Sequence, residues 1–252
     1  MKFFTGVHHP SIAQHLGASF ISINTLRDRK GDFTVGDWVM DSGAFSRITQ
    51  FGYYDEDESV YAAQIRRWAK CGNLLAAVAQ DYMCEDVALE KSGLTIADHQ
   101  NLTVGRYERL IAEDTAGVYI MPVLQGRSHS DYIRHVKMYE ERGHLPHGAW
   151  VGVGSVCKRN ADPMSIFMCL SIIKDYRPDL KLHGFGVKLT GLAWSAIREL
   201  LETADSMAWS FAARKQGRDQ NSHLEAVAFA KRIADLDAAG ASVDIDEEAI
   251  AA

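Results

Sequence analysis

Cysteine is scarce in this 252-residue chain. Its four thiols, Cys71, Cys84, Cys157 and Cys169, make no CxxC pair and no regular framework. That excludes a disulfide-stapled fold and predicts reduced cytosolic thiols. Long apolar runs are missing as well. No stretch approaches the roughly 18 consecutive apolar residues of a membrane span. The opening MKFFTGVHHPSIA turns polar too early for the apolar core of a secretory signal. The expectation is a soluble, cytoplasmic protein with no membrane partner. Positive charge is not in excess either: 27 Lys and Arg stand against 33 Asp and Glu, a net charge of -6. Bulk charge therefore argues against a dedicated nucleic-acid binder. No internal repeat, linker or low-complexity stretch divides the chain.

What is present is the composition of an ordinary globular domain, 47% hydrophobic and 24% charged. A chain of this length suits one large domain that buries roughly 70–75% of its unfolded surface. Eight short apolar runs read as strands, at 3–7, 19–24, 38–41, 74–80, 118–124, 150–154, 182–187 and 206–211. Most are continuous rather than alternating, as parallel strands covered on both faces are. Helical patterns follow at 58–71, 98–113, 130–143, 163–175, 191–203 and 221–239, with Ser130 and Asp162 as caps and Pro163 at a first helical position. The segments 10–17 and 25–36 are too short for full helices. Eight such units predict a single-domain (β/α)8 TIM barrel over 1–240, followed by an acidic, alanine-rich tail over 241–252. A doubly wound open sheet is the alternative architecture.

Polar residues and glycines crowd the C-terminal ends of those strands, where barrels of this kind build their sites. Asp41-Ser42-Gly43 ends the third, Gln80-Asp81 the fourth and Gln125-Gly126 the fifth. Gly152, Gly154 and Ser155 mark the sixth, Gly184, Gly186 and Lys188 the seventh, and Asp205 precedes the eighth. Each has a bland reading: a strand-end Asp can merely cap the next helix, and glycines can mark tight packing. Their coincidence at one end points instead to acid/base or nucleophilic chemistry, or to a metal site. Basic residues share this geography: Arg27, Arg29, Arg47, Arg127, Lys158, Arg159, Arg214, Lys215 and Arg218 all follow strands. One by one they are ordinary loop charges; together they predict a locally basic mouth that suits a polynucleotide.

In order along the chain, Asp41-Ser42-Gly43-Ala44-Phe45, Val123-Leu124-Gln125-Gly126, Val151-Gly152-Val153-Gly154, His183-Gly184-Phe185-Gly186-Val187 and Asp205-Ser206-Met207-Ala208-Trp209 resemble the signatures of the tRNA-guanine transglycosylase superfamily. The opening TGVHHPSIA, with SINTLRDRK and WVMDSGAF, is most similar to the short, DpdA-like branch that modifies DNA with 7-deazaguanines. The resemblance implies Asp205 as the nucleophile at C1′ and Asp41 as general base. It implies Asp81 and Gln125 as readers of the base edge, and Ser42, Gly126, Gly154 and Gly186 as further base-site residues. Lys158, Arg159, Arg214 and Arg218 would hold the polynucleotide backbone. Its partners would be DNA in preference to tRNA, a free 7-deazaguanine base, proteins that open the duplex and a second copy in a homodimer. A phage- or bacterium-encoded, cytoplasmic enzyme is implied, with no cofactor.

The sequence departs from the superfamily in two places. Its zinc motif is absent, since no cysteine follows Cys169; that predicts no metal and weighs against tRNA. The residues after Asp81 are Tyr82-Met83-Cys84, so no base contact carries over to Cys84. Three rivals remain at this point: a zinc-free tRNA enzyme, a barrel lyase or aldolase using Lys188 as a Schiff-base amine, and a non-catalytic partner subunit. His8 and His9 project to different sides as neighbours, against a shared metal. Phe51, Tyr53 and Tyr54 read either as a stacking lid or, preferably, as loop anchors.

Overall fold

The computed structural model describes residues 1–238; the tail expected over 241–252 and the boundary at 240 lie outside them. Nine parallel strands are ordered β5-β4-β3-β2-β1-β9-β8-β7-β6. They are β1 (Lys2–Val7), β2 (Ala18–Ser22), β3 (Asp37–Asp41), β4 (Asn73–Val78), β5 (Tyr119–Met121), β6 (Val123–Leu124), β7 (Trp150–Val153), β8 (Lys181–Gly184) and β9 (Leu201–Ser206). Pro122 alone separates β5 from β6, because proline has no N–H to give a ladder. β5 pairs with β4 and β6 with β7, so this one interrupted stave closes the barrel. The protein is a single-domain (β/α)8 barrel, and the open sheet is set aside.

The helices are α1 (Ala44–Phe51), α2 (Glu58–Trp68), α3 (Asp86–Ser92), α4 (Ile96–Ala112), α5 (His129–Glu141), α6 (Pro163–Tyr176), α7 (Leu189–Leu192), α8 (Ser195–Leu200), α9 (Ala208–Lys215) and α10 (His223–Ala238). The first two units carry only 3₁₀ turns, at Pro10–His15 and Ile23–Thr25, as their short connections predict. Among the described residues no helix is long and apolar enough to cross a membrane.

Three sequence expectations need correction. The last strand is Leu201–Ser206, not 206–211. Its residues gain ladders to both β1 and β8, and this pairing overrides the helical pattern read through 203. The apolar run 207–211 instead opens α9, with Trp209 buried and Phe211 exposed. Second, α5 is capped by Ser128 in a capping box with Asp131, so Ser130 is not the cap; Asp162 sits at the N-cap of α6 without a side-chain capping bond. Third, α1 and α3, where the apolar pattern predicts no helix, stand at the mouth and pack on each other.

Strand parity divides the core and prepares the site. One face of the strands meets the helices in a large apolar cluster. The other fills the barrel with Phe4, Val39, Ala76, Val78, Met121 and Val123. Side chains alternate with period two, so the next inward position above Val39 is Asp41 and the one above Val123 is Gln125. Likewise Gly6 stands above Phe4 and Asp205 above Thr203. An apolar floor thus gives way to a polar rim at the strand C-termini.

Candidate functional site

That rim encloses a cavity of about 310 Å³, bordered by Asp41, Asp81, Gln125, Gly154, Gly186 and Asp205 among others. Apolar walls come from Phe20, Phe185, Val78, Met83 and Met207, with Phe45 at the entrance. Charged groups set among such walls lose hydration, which raises the stakes of every hydrogen bond they make.

Asp205 is the penultimate residue of β9 and is buried. Its Oδ1 accepts the backbone N–H of Gly186 at 3.0 Å and lies 3.2 Å from His183 Nε2. Gly186 has φ +62, a left-handed conformation that turns its N–H toward the carboxylate. Asp41 ends β3 and is partly buried. Burial pushes its carboxyl above the ordinary range; the Ser22 hydroxyl opposes this, and the charge of Asp205 adds to it. The Gly43 N–H reaches Asp41 Oδ2 at 3.2 Å. With φ +72, and Asn24 packed where a Cβ would go, position 43 takes glycine alone.

Asp81 follows β4 and is pushed up to about 7, chiefly by burial; the Gln125 amide opposes the shift and the Asp41 charge adds to it. Gln125 Nε2 donates to Asp81 Oδ2. The two side chains thus form one polar edge offering carboxylate and amide groups side by side. Gly154 lies directly against Gln125: a Cβ there would collide with the amide. Ser155 Oγ also donates to Gln125 Oε1 at 3.3 Å.

The residues that brace this edge carry no signal in the sequence. Gln125 is held through its backbone, its N–H donating to His135 Nδ1 at 2.8 Å and its carbonyl accepting from Gln100 Nε2 at 2.6 Å. Burial drives His135 down to about 3, which keeps the ring neutral and able to accept. Tyr132 donates to the Gly154 carbonyl at 2.8 Å. Below Asp81, Arg106 links Gln80 Oε1 at 2.9 Å to buried Glu58 at 3.3 Å. Tyr54 lies under the Arg106 guanidinium and donates to the Asp81 carbonyl at 3.1 Å, so it is an anchor. Tyr53 and Phe51 are exposed.

Other expected site residues are placed elsewhere. Ser42 is buried outside the cavity lining, and its Oγ has no hydrogen-bond partner among the described residues; the serines on the cavity wall are Ser22 and Ser155. Gly126 borders an adjoining cavity with Arg127, Lys158 and Arg159, packed against Asp131 and Tyr132. Lys188 is exposed and outside the cavity lining, which removes the geometric support for a Schiff-base lysine. Cys84 is buried with its thiol pushed up to about 12 by burial. His8 stacks on Trp209 while its Nε2 meets Asn221. Among the described residues no three His, Cys, Asp or Glu side chains are grouped to hold a metal ion.

The basic mouth is more balanced than its sequence implied. Arg27 pairs with Glu56, Arg47 with Asp55 and Glu56, Arg127 with Asp86, and Arg218 with Glu225. Arg159 Nη2 donates to the Arg127 carbonyl at 2.7 Å. Lys158 overhangs the cavity entrance, 5.0 Å from the Phe45 ring centre and 3.7 Å from Glu85. Arg214 and Lys215 lie over exposed Phe211 and have no acidic partner among the described residues. Cations beside exposed aromatic rings form the kind of platform on which single-stranded nucleic acid stacks.

Fold and site together define a (β/α)8-barrel protein with a carboxylate-rich, base-sized cavity at its strand C-termini. Residues 1–236 match the model of the family described as DpdA, DeoxyPurine in DNA protein A. The chain belongs to that family, and membership ties it to deazapurine modification of DNA. No curated protein is similar enough to match it.

Proposed function

We propose that the protein is a base-exchange transglycosylase that replaces guanine in DNA with a 7-deazaguanine, such as a preQ0-type base, by double displacement at C1′. The observation that carries this reading is the convergence of Asp205, Asp41 and the Asp81–Gln125 pair on one cavity. Exchange with the sugar's configuration retained needs a nucleophile and a separate acid/base group, the logic of retaining glycosidases. An Asp–Gln edge meets a guanine-like base: the carboxylate accepts from N1–H and the 2-amino group, and the amide donates to the carbonyl oxygen. Adenine has no such donor pair, which gives specificity.

In the first displacement an Asp205 oxygen attacks C1′ and the C1′–N9 bond breaks. The electron pair leaves with guanine, which takes a proton from Asp41. In the second, Asp41 takes the N9 proton of the incoming base, N9 attacks C1′, and the Asp205–C1′ bond breaks. Guanine and the incoming base enter and leave as neutral species, so the protein returns unchanged. The target nucleotide must leave the duplex stack to reach such a cavity; exposed Phe45, Phe211, Lys158, Arg214 and Lys215 border the path of its flanking strand.

The test is base exchange with radiolabelled guanine and a 7-deazaguanine, offering single-stranded DNA, duplex DNA and tRNA in parallel, with Asp205→Asn as control. Label entering DNA, together with a denaturation-resistant protein–DNA adduct that Asp205→Asn abolishes, is the expected result. Label in tRNA alone refutes the DNA substrate. An adduct that survives Asp205→Asn removes Asp205 as the nucleophile.

A further inference from the structure

Below Asp205 lies a line of buried polar side chains that the exchange chemistry above does not use. His183, on β8, is fully buried. Its ring stacks on Phe20 at 5.5 Å and meets the edge of Phe185 at 4.7 Å. A buried histidine among aromatic rings needs partners for both nitrogens. Nδ1 lies 2.8 Å from Thr203 Oγ1 and Nε2 lies 3.2 Å from Asp205 Oδ1. Thr203 Oγ1 is in turn 2.8 Å from Trp150 Nε1.

Donor and acceptor inventory fixes the direction of this line. An indole nitrogen only donates, so Thr203 Oγ1 accepts from Trp150. Among the described residues the Thr203 hydroxyl then has one acceptor within reach, His183 Nδ1. That nitrogen is therefore unprotonated, and the ring carries its hydrogen on Nε2, directed at Asp205. Oδ1 consequently accepts two hydrogen bonds, from His183 and from the Gly186 N–H. The Asp205 Oδ2 has no partner among the described residues.

We infer that Trp150, Thr203 and His183 form a positioning relay that fixes the His183 tautomer, pins Oδ1 of Asp205 and leaves Oδ2 as the oxygen that attacks C1′. The inference rests on the transglycosylase reading for the attack, but the tautomer and the hydrogen bond are properties of the protein alone. Three neighbouring staves, β7, β8 and β9, supply the relay, so the rigidity of the barrel wall passes directly to the nucleophile. A carboxylate free to rotate would present either oxygen at varying angles, and a misplacement near 1 Å costs about 10²-fold in rate.

Two measurements test it on the full chain. The first is ¹⁵N NMR of the histidine side chains, with His183→Gln used to assign the His183 signals. A neutral, Nε2-protonated His183 that becomes mixed in Thr203→Val is expected; an Nδ1-protonated ring in the wild type overturns the relay. The second is guanine exchange into single-stranded DNA. His183→Leu should lower kcat by about 10²-fold with KM for the free base changed less than threefold. His183→Gln, whose amide can still donate to Asp205, should recover at least tenfold of that loss. A fall in base affinity in place of kcat, or no rescue by glutamine in a folded variant, overturns the positioning role. If His183→Leu does not fold, Thr203→Val decides, with a kcat loss expected and unchanged kcat refuting. Should the wild type exchange no base at all, the transglycosylase reading fails, and the NMR result still judges the relay separately.

Discussion

If Asp81 reads the base as proposed, folding and binding oppose each other at this residue, and Asp81→Asn separates them. Its carboxyl is pushed from 3.8 to about 7 by burial. Because the folded pKa is raised, the contribution of Asp81 to stability is greatest below about pH 4 and declines as pH climbs through 7. At pH 8 the ionised carboxylate costs the fold about 4 kcal/mol, from about three pH units at 1.36 kcal/mol each. Asparagine copies the shape of the protonated acid, can keep a hydrogen bond to Gln125, and does not titrate. Between pH 5 and pH 8 the stability difference should therefore move by about 2.5 kcal/mol in favour of Asp81→Asn. Urea unfolding of both proteins at a series of pH values measures it. Base binding should run the other way. Under the proposed function the wild type accepts guanine donors only when Asp81 is ionised, so calorimetric affinity should fall about 100-fold from pH 8 to pH 5. Asp81→Asn should bind weakly at both. A stability difference independent of pH, or guanine affinity retained in the asparagine variant, refutes the reasoning.

Gly154→Ala places a methyl group against the Gln125 amide, so Gln125 must leave Asp81; free-base affinity should fall at least tenfold by calorimetry, with melting temperature lowered by only a few degrees. Lys158→Ala and Arg214→Ala should each reduce the slope of log Kd against log salt for single-stranded DNA by about one; an unchanged slope places that cation off the strand's path. Arg106→Ala strands buried Glu58 and frees Gln80, and should destabilise by about 3 kcal/mol in urea unfolding; a loss under 1 kcal/mol would show that Arg109 satisfies Glu58 alone.

The barrel was legible because parallel strands buried on both faces are written as continuous apolar runs, and each run ended in a turn signal. Boundaries were less legible. Leu201-Glu202-Thr203-Ala204 suits either a helix end or a strand, and only the ladders to β1 and β8 decide. Pro122 breaks a run that reads as one strand, since the loss of a single N–H leaves no mark on hydropathy. Within the site, Asp41, Asp81, Gln125, Gly154, Gly186 and Asp205 stood out because so many polar and glycine residues gather beside the strand runs. Their supports did not. Gln100 and His135 lie inside amphipathic helices, where an isolated polar residue on the inner face carries no periodic signature. His183 falls within a strand run and Thr203 at the end of a helical pattern, and their link to Asp205 exists only once three staves lie side by side.

Under the proposed mechanism, the surroundings of Asp41 and Asp205 also let one carboxyl serve both half-reactions. Burial and the negative charge of Asp205 both hold Asp41 above the ordinary range, which favours its protonated form, the one that can donate to the departing guanine. When Asp205 becomes a neutral glycosyl ester, that charge disappears and the repulsion with it. Asp41, having given up its proton, then stays ionised more readily and is ready to take the N9 proton of the incoming base. The acid and base roles are separated in time by the covalent bond itself, as in retaining glycosidases. Expulsion of guanine should accordingly slow as pH rises through the Asp41 value of the free protein. Loading of base onto the isolated adduct should quicken as pH rises through a lower value. Single-turnover rates of the two steps, measured across the same pH series, test this directly. Equal apparent values, or a higher one in the adduct, would mean that Asp205 does not control Asp41.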